Sequence, residues 1–215
     1  MTGKIVECYY TLSSPWAYFA GPRFEALLLR HRARADLKPY DFQQVVQQNG
    51  GVPLRTRPQA RQDYHAVELD RWRRHLGMPL NLKPRFYPPV DNLSAGHTVI
   101  AAQQRGLDAL RLSHAILRAT WAEERDVAQP EVRAAICDEN GMPGAELVAA
   151  EKSEPVTAEY RRNTEEVAAK GVFGSPTYVF RGELFWGQDR LDFLDRAMAL
   201  DGWEPTRPAI ARGAY

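Results

Sequence analysis

The sequence predicts an α/β protein in which a small mixed sheet is split by a large helical insertion. Three observations support this: the chain opens with a strand, a helix and a second strand, a long middle part carries almost only helical patterns, and strand patterns return near the end. This order fits one split sheet better than two independent domains. We expect residues 1–58 and 171–202 to form the discontinuous sheet domain, residues 59–170 the insertion, and residues 203–215 an irregular tail.

The opening segment predicts two parallel strands joined by a helix. β-forming residues from Ile5 to Thr11 predict the first strand. Ser14 and Pro15 are typical of a helix start, because a serine side chain caps free backbone N–H groups and a proline loses no hydrogen bond in the first turn. The helix is predicted from about Trp16 to His31, and the second strand from Asp36 to Phe42.

The middle of the chain carries helical patterns separated by glycine, proline and aspartate. A loop rich in Gly and Pro follows the second strand, and a helix is predicted from about Gln59 to Gly77, before the proline-rich stretch Met78–Val90. Five further helices are predicted: Ser94–Gln104, Leu107–Glu124, Pro130–Asn140, Gly144–Ala149 and Val156–Lys170. No strand pattern interrupts them, so this block is the predicted insertion.

Strand patterns return after the helical block. Thr177–Phe180 and Glu183–Trp186 flank the dipeptide Arg181-Gly182, which predicts a hairpin with a two-residue turn. Asp189 is predicted to cap a last helix.

Charge and hydropathy exclude several classes of function. Lys and Arg number 28 against 27 Asp and Glu, a formal net charge of +1. Such a balance provides no overall field that favours nucleic acid or an anionic membrane. No apolar run approaches the roughly 20 residues of a membrane helix, and the first residues lead into a strand rather than an apolar signal segment. We therefore expect a cytoplasmic protein that binds neither nucleic acid nor a membrane.

Cysteine and histidine usage predicts neither a disulfide framework nor a metal site. The two cysteines, Cys8 and Cys137, cannot by themselves form a disulfide framework or a zinc site. The five histidines show no metal-ligand spacing, and we expect no bound metal.

The first candidate for chemistry is the junction between the first strand and the first helix. A helix N-terminus directs free N–H groups and the positive end of its dipole toward whatever lies there, and so stabilises an anion. The hydroxyl of Ser14 can donate a hydrogen bond to such an anion. The alternative interpretation is that Ser14 does no more than cap the helix.

The second candidate is the segment Gly171–Thr177, directly before the hairpin. Its two glycines and its Ser175–Pro176 bond, followed at once by a strand, predict a constrained loop. A cis bond is possible, but taken alone the segment favours an ordinary trans turn, because only about 5–6% of X–Pro bonds in folded proteins are cis.

Together these features resemble the thioredoxin-like fold of the DsbA superfamily. Its members carry Cys-Pro-X-Cys at the helix start and a cis-proline before the third strand. The resemblance therefore implies that the Ser175–Pro176 bond is cis, whereas Ser-Pro-Trp-Ala occupies Ser14–Ala17 in place of the cysteine motif. Without a dithiol there is no disulfide to exchange, which excludes a thioredoxin-type oxidoreductase role at this place.

Within the superfamily, the Ser-Pro resembles 2-hydroxychromene-2-carboxylate isomerases and kappa-class glutathione transferases. Val172–Thr177 is similar to their Val-Phe-Gly-Val-Pro-Thr, and Trp186–Leu191 to their Trp-Gly-Asn-Asp-Arg-Leu. Segments 63–73 and 77–80 resemble their first inserted helix and the Gly-Ile-Pro that follows it. The resemblance covers nearly all of the chain up to about Leu200.

This family binds glutathione, and the resemblance implies roles for individual residues. Ser14 would contact the glutathione sulfur. The backbone of Ser175, which precedes Pro176, would pair with the cysteinyl backbone of glutathione as an added strand. Gln188 and Asp189 match positions that hold the γ-glutamyl end, where the Asp189 carboxylate suits an ammonium group; for Asp189, capping of the last helix is the alternative.

The resemblance implies roles for two further residues, Asn49 and Arg61. Asn49 matches an asparagine in the loop after the second strand. Arg61 takes the place of a lysine that begins the first inserted helix, and it keeps a cation for a glutathione carboxylate. His65 follows Arg61 by one turn on the same helix face, with a solvated histidine as the alternative interpretation.

The resemblance implies a glutathione-dependent isomerase and, on that ground alone, a homodimer with a small aromatic substrate. The family reaction converts 2-hydroxychromene-2-carboxylate to trans-o-hydroxybenzylidenepyruvate through reversible addition of a thiolate, C–C rotation and expulsion of the thiol. Two alternatives stay open. A kappa-like transferase would conjugate glutathione to an electrophile, and a non-catalytic module would bind a ligand without turning it over.

Overall fold

The computed structural model describes residues 3–48, 52, 54–200 and 202–205. Within them, four strands form one mixed sheet in the order β2-β1-β3-β4: β1 (Ile5–Tyr10), β2 (Arg34–Pro39), β3 (Thr177–Phe180) and β4 (Glu183–Trp186). β1 pairs parallel with β2 and antiparallel with β3, and β3 pairs antiparallel with β4. The predicted α/β class with a thioredoxin-like βαβ…ββα order is confirmed.

The described part of the chain contains nine α-helices: α1 (Pro15–His31), α2 (Phe42–Gln48), α3 (Gln59–Leu76), α4 (Ser94–Gln104), α5 (Ala109–Trp121), α6 (Pro130–Glu139), α7 (Gly144–Ala150), α8 (Glu154–Lys170) and α9 (Leu191–Ala199). Short 3₁₀ turns cover Leu54–Thr56 and Gln188–Arg190. None of the described helices has the length and the apolar character that crossing a bilayer requires. Helices α3 to α8 separate β2 from β3 and form the helical insertion.

The alternation of β1 explains why the sheet has two covered faces. Val6, Cys8 and Tyr10 belong to the larger core, which also contains buried residues of α1, α4, α5 and α9. Tyr9 points the opposite way, into a second core that contains residues of α2 and α8. The larger core joins sheet and insertion, and the division at residues 58/59 and 170/171 stays a prediction.

Local sequence patterns predicted most ends of the helices and strands correctly. The hairpin prediction is confirmed, with Arg181 at φ 51° and Gly182 at φ 84°, both in the left-handed region that a primed two-residue turn requires. The predicted end of the second strand is wrong, because the strand stops at Pro39. The Asp41 side chain accepts hydrogen bonds from the backbone N–H groups of Gln43 and Gln44 at 3.0 and 3.1 Å, which starts α2 at Phe42.

The predicted tail is described only over residues 203–205, which have no helix or strand, and its boundary at residue 203 stays a prediction. The rest of the predicted tail lies outside the described residues, as does Asn49.

Candidate functional site

Ser14 lies between β1 and α1 with a side chain that makes two hydrogen bonds. Its Oγ accepts from the backbone N–H of Ala17 at 3.2 Å and donates to the carbonyl oxygen of Ser175 at 3.2 Å. The residue is 7% exposed. The predicted helix cap is therefore confirmed. A hydroxyl has one proton to donate, so Ser14 reaches a sulfur anion only by turning that proton away from Ser175.

The loop before β3 is fixed opposite Ser14. The Ser175–Pro176 bond is cis, as predicted. The Oγ of Ser175 accepts from the backbone N–H of Thr11 at 3.0 Å, and the hydroxyl of Thr177 donates to the carbonyl of Gly174 at 2.7 Å. The end of β1, the start of α1 and the cis-proline loop therefore meet at one end of the sheet.

Gly174 allows an aromatic side chain to close over this loop. A Cβ at Gly174 would lie 2.1 Å from the Nε1 atom of Trp186, so any larger residue would displace the indole. Trp186 also contacts the ring of Phe173, with centroids 4.7 Å apart, and both rings are about half exposed. The cis-proline loop thus has an aromatic rim.

Gln188 is held by an arginine that sequence reasoning did not identify. Nη1 of Arg23 donates to the Gln188 side-chain Oε1 at 2.6 Å and to its backbone oxygen at 3.1 Å. Gln188 is 3% exposed. The two residues lie 165 positions apart, so only the packing of α1 against the turn before α9 brings them together. Helix α1 consequently links Ser14 with the Gln188 turn.

The prediction that Asp189 caps the last helix is wrong. A 3₁₀ turn over Gln188–Arg190 comes between Gly187 and α9, and no side chain caps that helix. The exposed carboxylate of Asp189 accepts from Nη1 of Arg190 at 2.8 Å. Asp189 is therefore located beside Gln188 on the surface, where its charge is accessible.

Helix α3 contains two more predicted residues, of which His65 contacts α1. Arg61 is exposed in the first turn of α3, and the half-buried ring of His65 lies 5.5 Å from the ring of Trp16 at an interplanar angle of 82°. Burial, together with the guanidinium groups of Arg57 and Arg61, lowers the pKa of His65 below its usual value. The imidazole is therefore neutral at neutral pH.

The cysteines are unsuited to nucleophilic chemistry. Both are buried and free. Burial, with a smaller contribution from Asp36, raises the pKa of the Cys8 thiol far above its usual range, and burial raises that of Cys137 to about 11. Neither thiol is ionised at neutral pH. In the part of the chain that the structure describes, no group of three His, Cys, Asp or Glu side chains is arranged to hold a metal ion.

The strand order, the helix that starts at Ser14 and the cis-proline loop define a class. The chain belongs to the family of DsbA-like thioredoxin domains, whose model matches residues 5–199.

Individual relatives indicate which kinds of DsbA-like protein this chain resembles. The 2-hydroxychromene-2-carboxylate isomerase of Pseudomonas putida is 26% identical over 195 residues, which cover 90% of this chain and 94% of the relative. The glutathione S-transferase kappa 2 of Caenorhabditis elegans is 28% identical over 217 residues, 89% of this chain and 92% of the relative. A solved structure of a 2-hydroxychromene-2-carboxylate isomerase has a TM-score of 0.76 at 26% identity, covering 91% of this chain and 94% of that one. These relatives confirm the predicted resemblance and the expectation of an isomerase-type enzyme.

Proposed function

We propose that this protein is a glutathione-dependent isomerase of an unsaturated aromatic keto acid, 2-hydroxychromene-2-carboxylate or a related compound. The observation that carries the proposal is the Ser14 hydroxyl at the start of α1, 3.2 Å from the carbonyl of the residue before a cis-proline. Relatives named as isomerases and as a glutathione transferase support it.

The hydrogen bond between Ser14 and Ser175 gives a physical test of whether glutathione fits. A ligand that pairs its cysteinyl N–H with the Ser175 carbonyl replaces Ser14 as the donor to that oxygen. The hydroxyl of Ser14 then turns to the ligand sulfur, while its Oγ keeps the N–H of Ala17 as a donor. No buried polar group loses a partner in this exchange, so the residues present fit a cysteinyl peptide.

Helix α1 favours a negative charge at the sulfur position. It has 17 residues, its first turn contains no acidic side chain, and Arg30 and His31 lie in its last turn. The positive end of its dipole is thus uncompensated at Ser14. The Ser14 hydroxyl adds a hydrogen bond that favours the ionised form of a thiol. When bound, glutathione supplies a thiolate that adds to the conjugated double bond, permits rotation about the resulting single bond and is then expelled unchanged.

The remaining predicted residues would hold the ends of glutathione. The buried Gln188 turn and the exposed carboxylate of Asp189 suit the γ-glutamyl amide and ammonium groups. Arg61 offers an exposed cation for a carboxylate, and Asn49 keeps the role that the family resemblance implies. We further propose that the reaction takes place in the cytoplasm. We also propose that the enzyme is a homodimer, which a mass measurement by light scattering would test.

Turnover of the cyclic substrate with and without glutathione tests the proposal. We expect isomerisation to fall to near background without glutathione, and the glutathione added to remain unconsumed after many turnovers. Steady accumulation of a glutathione conjugate would instead indicate the transferase alternative. Absence of glutathione binding by calorimetry would indicate a module that binds some other ligand, and would contradict the proposal.

A further inference from the structure

The contact between Trp16 and His65 is the place where the first turn of α1 meets the helical insertion. Trp16 is the second residue of α1, two positions after Ser14. His65 belongs to α3, and the two ring centroids are 5.5 Å apart. On the proposed function, this pair lies next to the helix start that would hold the glutathione sulfur.

We infer that Trp16 and His65 form the wall of a site for an anionic aromatic substrate, and that His65 donates a hydrogen bond to the substrate oxygen on which negative charge develops. The inference rests on the proposed function for the identity of the reaction. It adds a catalytic residue on the insertion side, where the sequence indicated only a histidine of unassigned role.

The hydrogen-bonding state of the His65 ring supports this role. Among the residues that the structure describes, no group donates to the ring or accepts from it. A neutral imidazole carries one N–H donor and one acceptor nitrogen. The ring nitrogens of His65 are not among the fully buried polar atoms without a partner, so solvent reaches them and a ligand can bind them without displacing a protein group. The same cations that keep the ring neutral, Arg57 and Arg61, favour a ligand with negative charge.

The chemistry of the reaction requires a donor of this kind. The acceptor is the ring-opened form of the substrate, in which the hemiketal carbon has become a ketone. As the sulfur–carbon bond forms, the π electrons of the conjugated C=C move toward this carbonyl, and its oxygen takes the negative charge; rotation follows about the resulting single bond. His65 donates a hydrogen bond to that oxygen and keeps its proton. When the C=O forms again, the electrons return, the sulfur–carbon bond breaks and the thiolate leaves. A donor positioned where charge develops stabilises the transition state more than the ground state.

Two substitutions of His65 separate hydrogen bonding from ring packing. His65→Phe keeps an aromatic ring against Trp16 but removes the donor, while His65→Gln keeps a neutral donor and removes the ring. We expect His65→Phe to lower kcat about 100-fold, in the range for loss of one such donor, and His65→Gln to retain more activity than His65→Phe. Glutathione affinity and Tm should stay close to those of the unmodified protein.

The chain provides a matched control on the same helix. Trp72 and His75 have ring centroids 5.5 Å apart at 83°, nearly the geometry of Trp16 and His65, but His75 is exposed and lies within one turn of its partner. His75→Phe should leave kcat unchanged. If His65→Phe retains full activity, or more activity than His65→Gln, the ring serves packing and the inference is wrong.

A binding measurement keeps this test separate from the proposed function. If the unmodified protein does not isomerise the substrate, the proposed function fails, and calorimetry with trans-cinnamate then decides the inference. This aromatic carboxylate has a conjugated side chain and needs no glutathione chemistry. Binding that His65→Phe weakens at least fivefold supports the site; binding that is absent, or equal in the two proteins, overturns it.

Discussion

The two halves of the candidate site differ in how their polar groups are paired. On the sheet side, Ser14 donates to Ser175 and Arg23 donates to Gln188; Ser14 and Gln188 are buried, and Ser175 and Arg23 are partly buried. On the α3 side, Arg61 is exposed and His65 half-buried, and neither side chain makes a hydrogen bond within the described residues.

This difference indicates which half is prepared for a constant ligand. Groups that are already held in place lose little conformational freedom on binding, so the sheet side suits a ligand that is always the same, such as the backbone of glutathione. On α3, Arg61 offers its cation to a glutathione carboxylate, and the unpaired His65 ring can adjust to the second substrate. Relatives that share the sheet side but differ at the position of His65 are therefore expected to differ in their aromatic substrate.

Among substitutions on the sheet side, the largest expected effect comes from Ser14. Ser14→Ala removes a hydrogen bond to a charged sulfur, which contributes about 1.5–3 kcal/mol, so kcat should fall roughly 10- to 100-fold. Loss of the helix cap should also lower the free energy of unfolding by about 1 kcal/mol. Steady-state kinetics and thermal unfolding measure the two effects. Ser13→Ala, one residue away, is the control; equal kcat values for the two variants would contradict the role of Ser14.

A smaller effect is expected from Arg23. Arg23→Met removes both hydrogen bonds to Gln188 and should weaken glutathione binding about tenfold, because the turn that would hold the γ-glutamyl end loses its support. Cysteinylglycine lacks the γ-glutamyl group, so its affinity should not change. Calorimetry with both ligands measures the difference.

A matched control for Arg23 lies two turns further along the same helix. Arg30 is exposed and pairs with Asp195 of α9, away from Gln188. Arg30→Met should bind both ligands as the unmodified protein does. If Arg23→Met weakened the two ligands equally, Arg23 would support the fold of the site as a whole rather than its γ-glutamyl end.

Local signals in the sequence predicted contacts between neighbouring residues better than contacts between distant segments. The cap at Ser14 and the turn at Arg181-Gly182 depend on neighbouring residues, and both were placed correctly. The bond between Arg23 and Gln188 depends on packing between segments 165 residues apart, which no local pattern specifies. Asp189 matched the residue type of a helix cap, but the intervening 3₁₀ turn moved the helix start to Leu191.

On the proposed function, the start of α1 holds the glutathione sulfur as an anion. Titration of the bound thiol tests this proposal most directly. The ultraviolet absorbance of the thiolate is followed against pH for the protein–glutathione complex and for free glutathione. The hydrogen bond from Ser14 alone is expected to lower the thiol pKa by about one to two units in the complex. A bound thiol that titrates at the same pH as free glutathione, or at a higher pH, would contradict the proposal that α1 stabilises the thiolate.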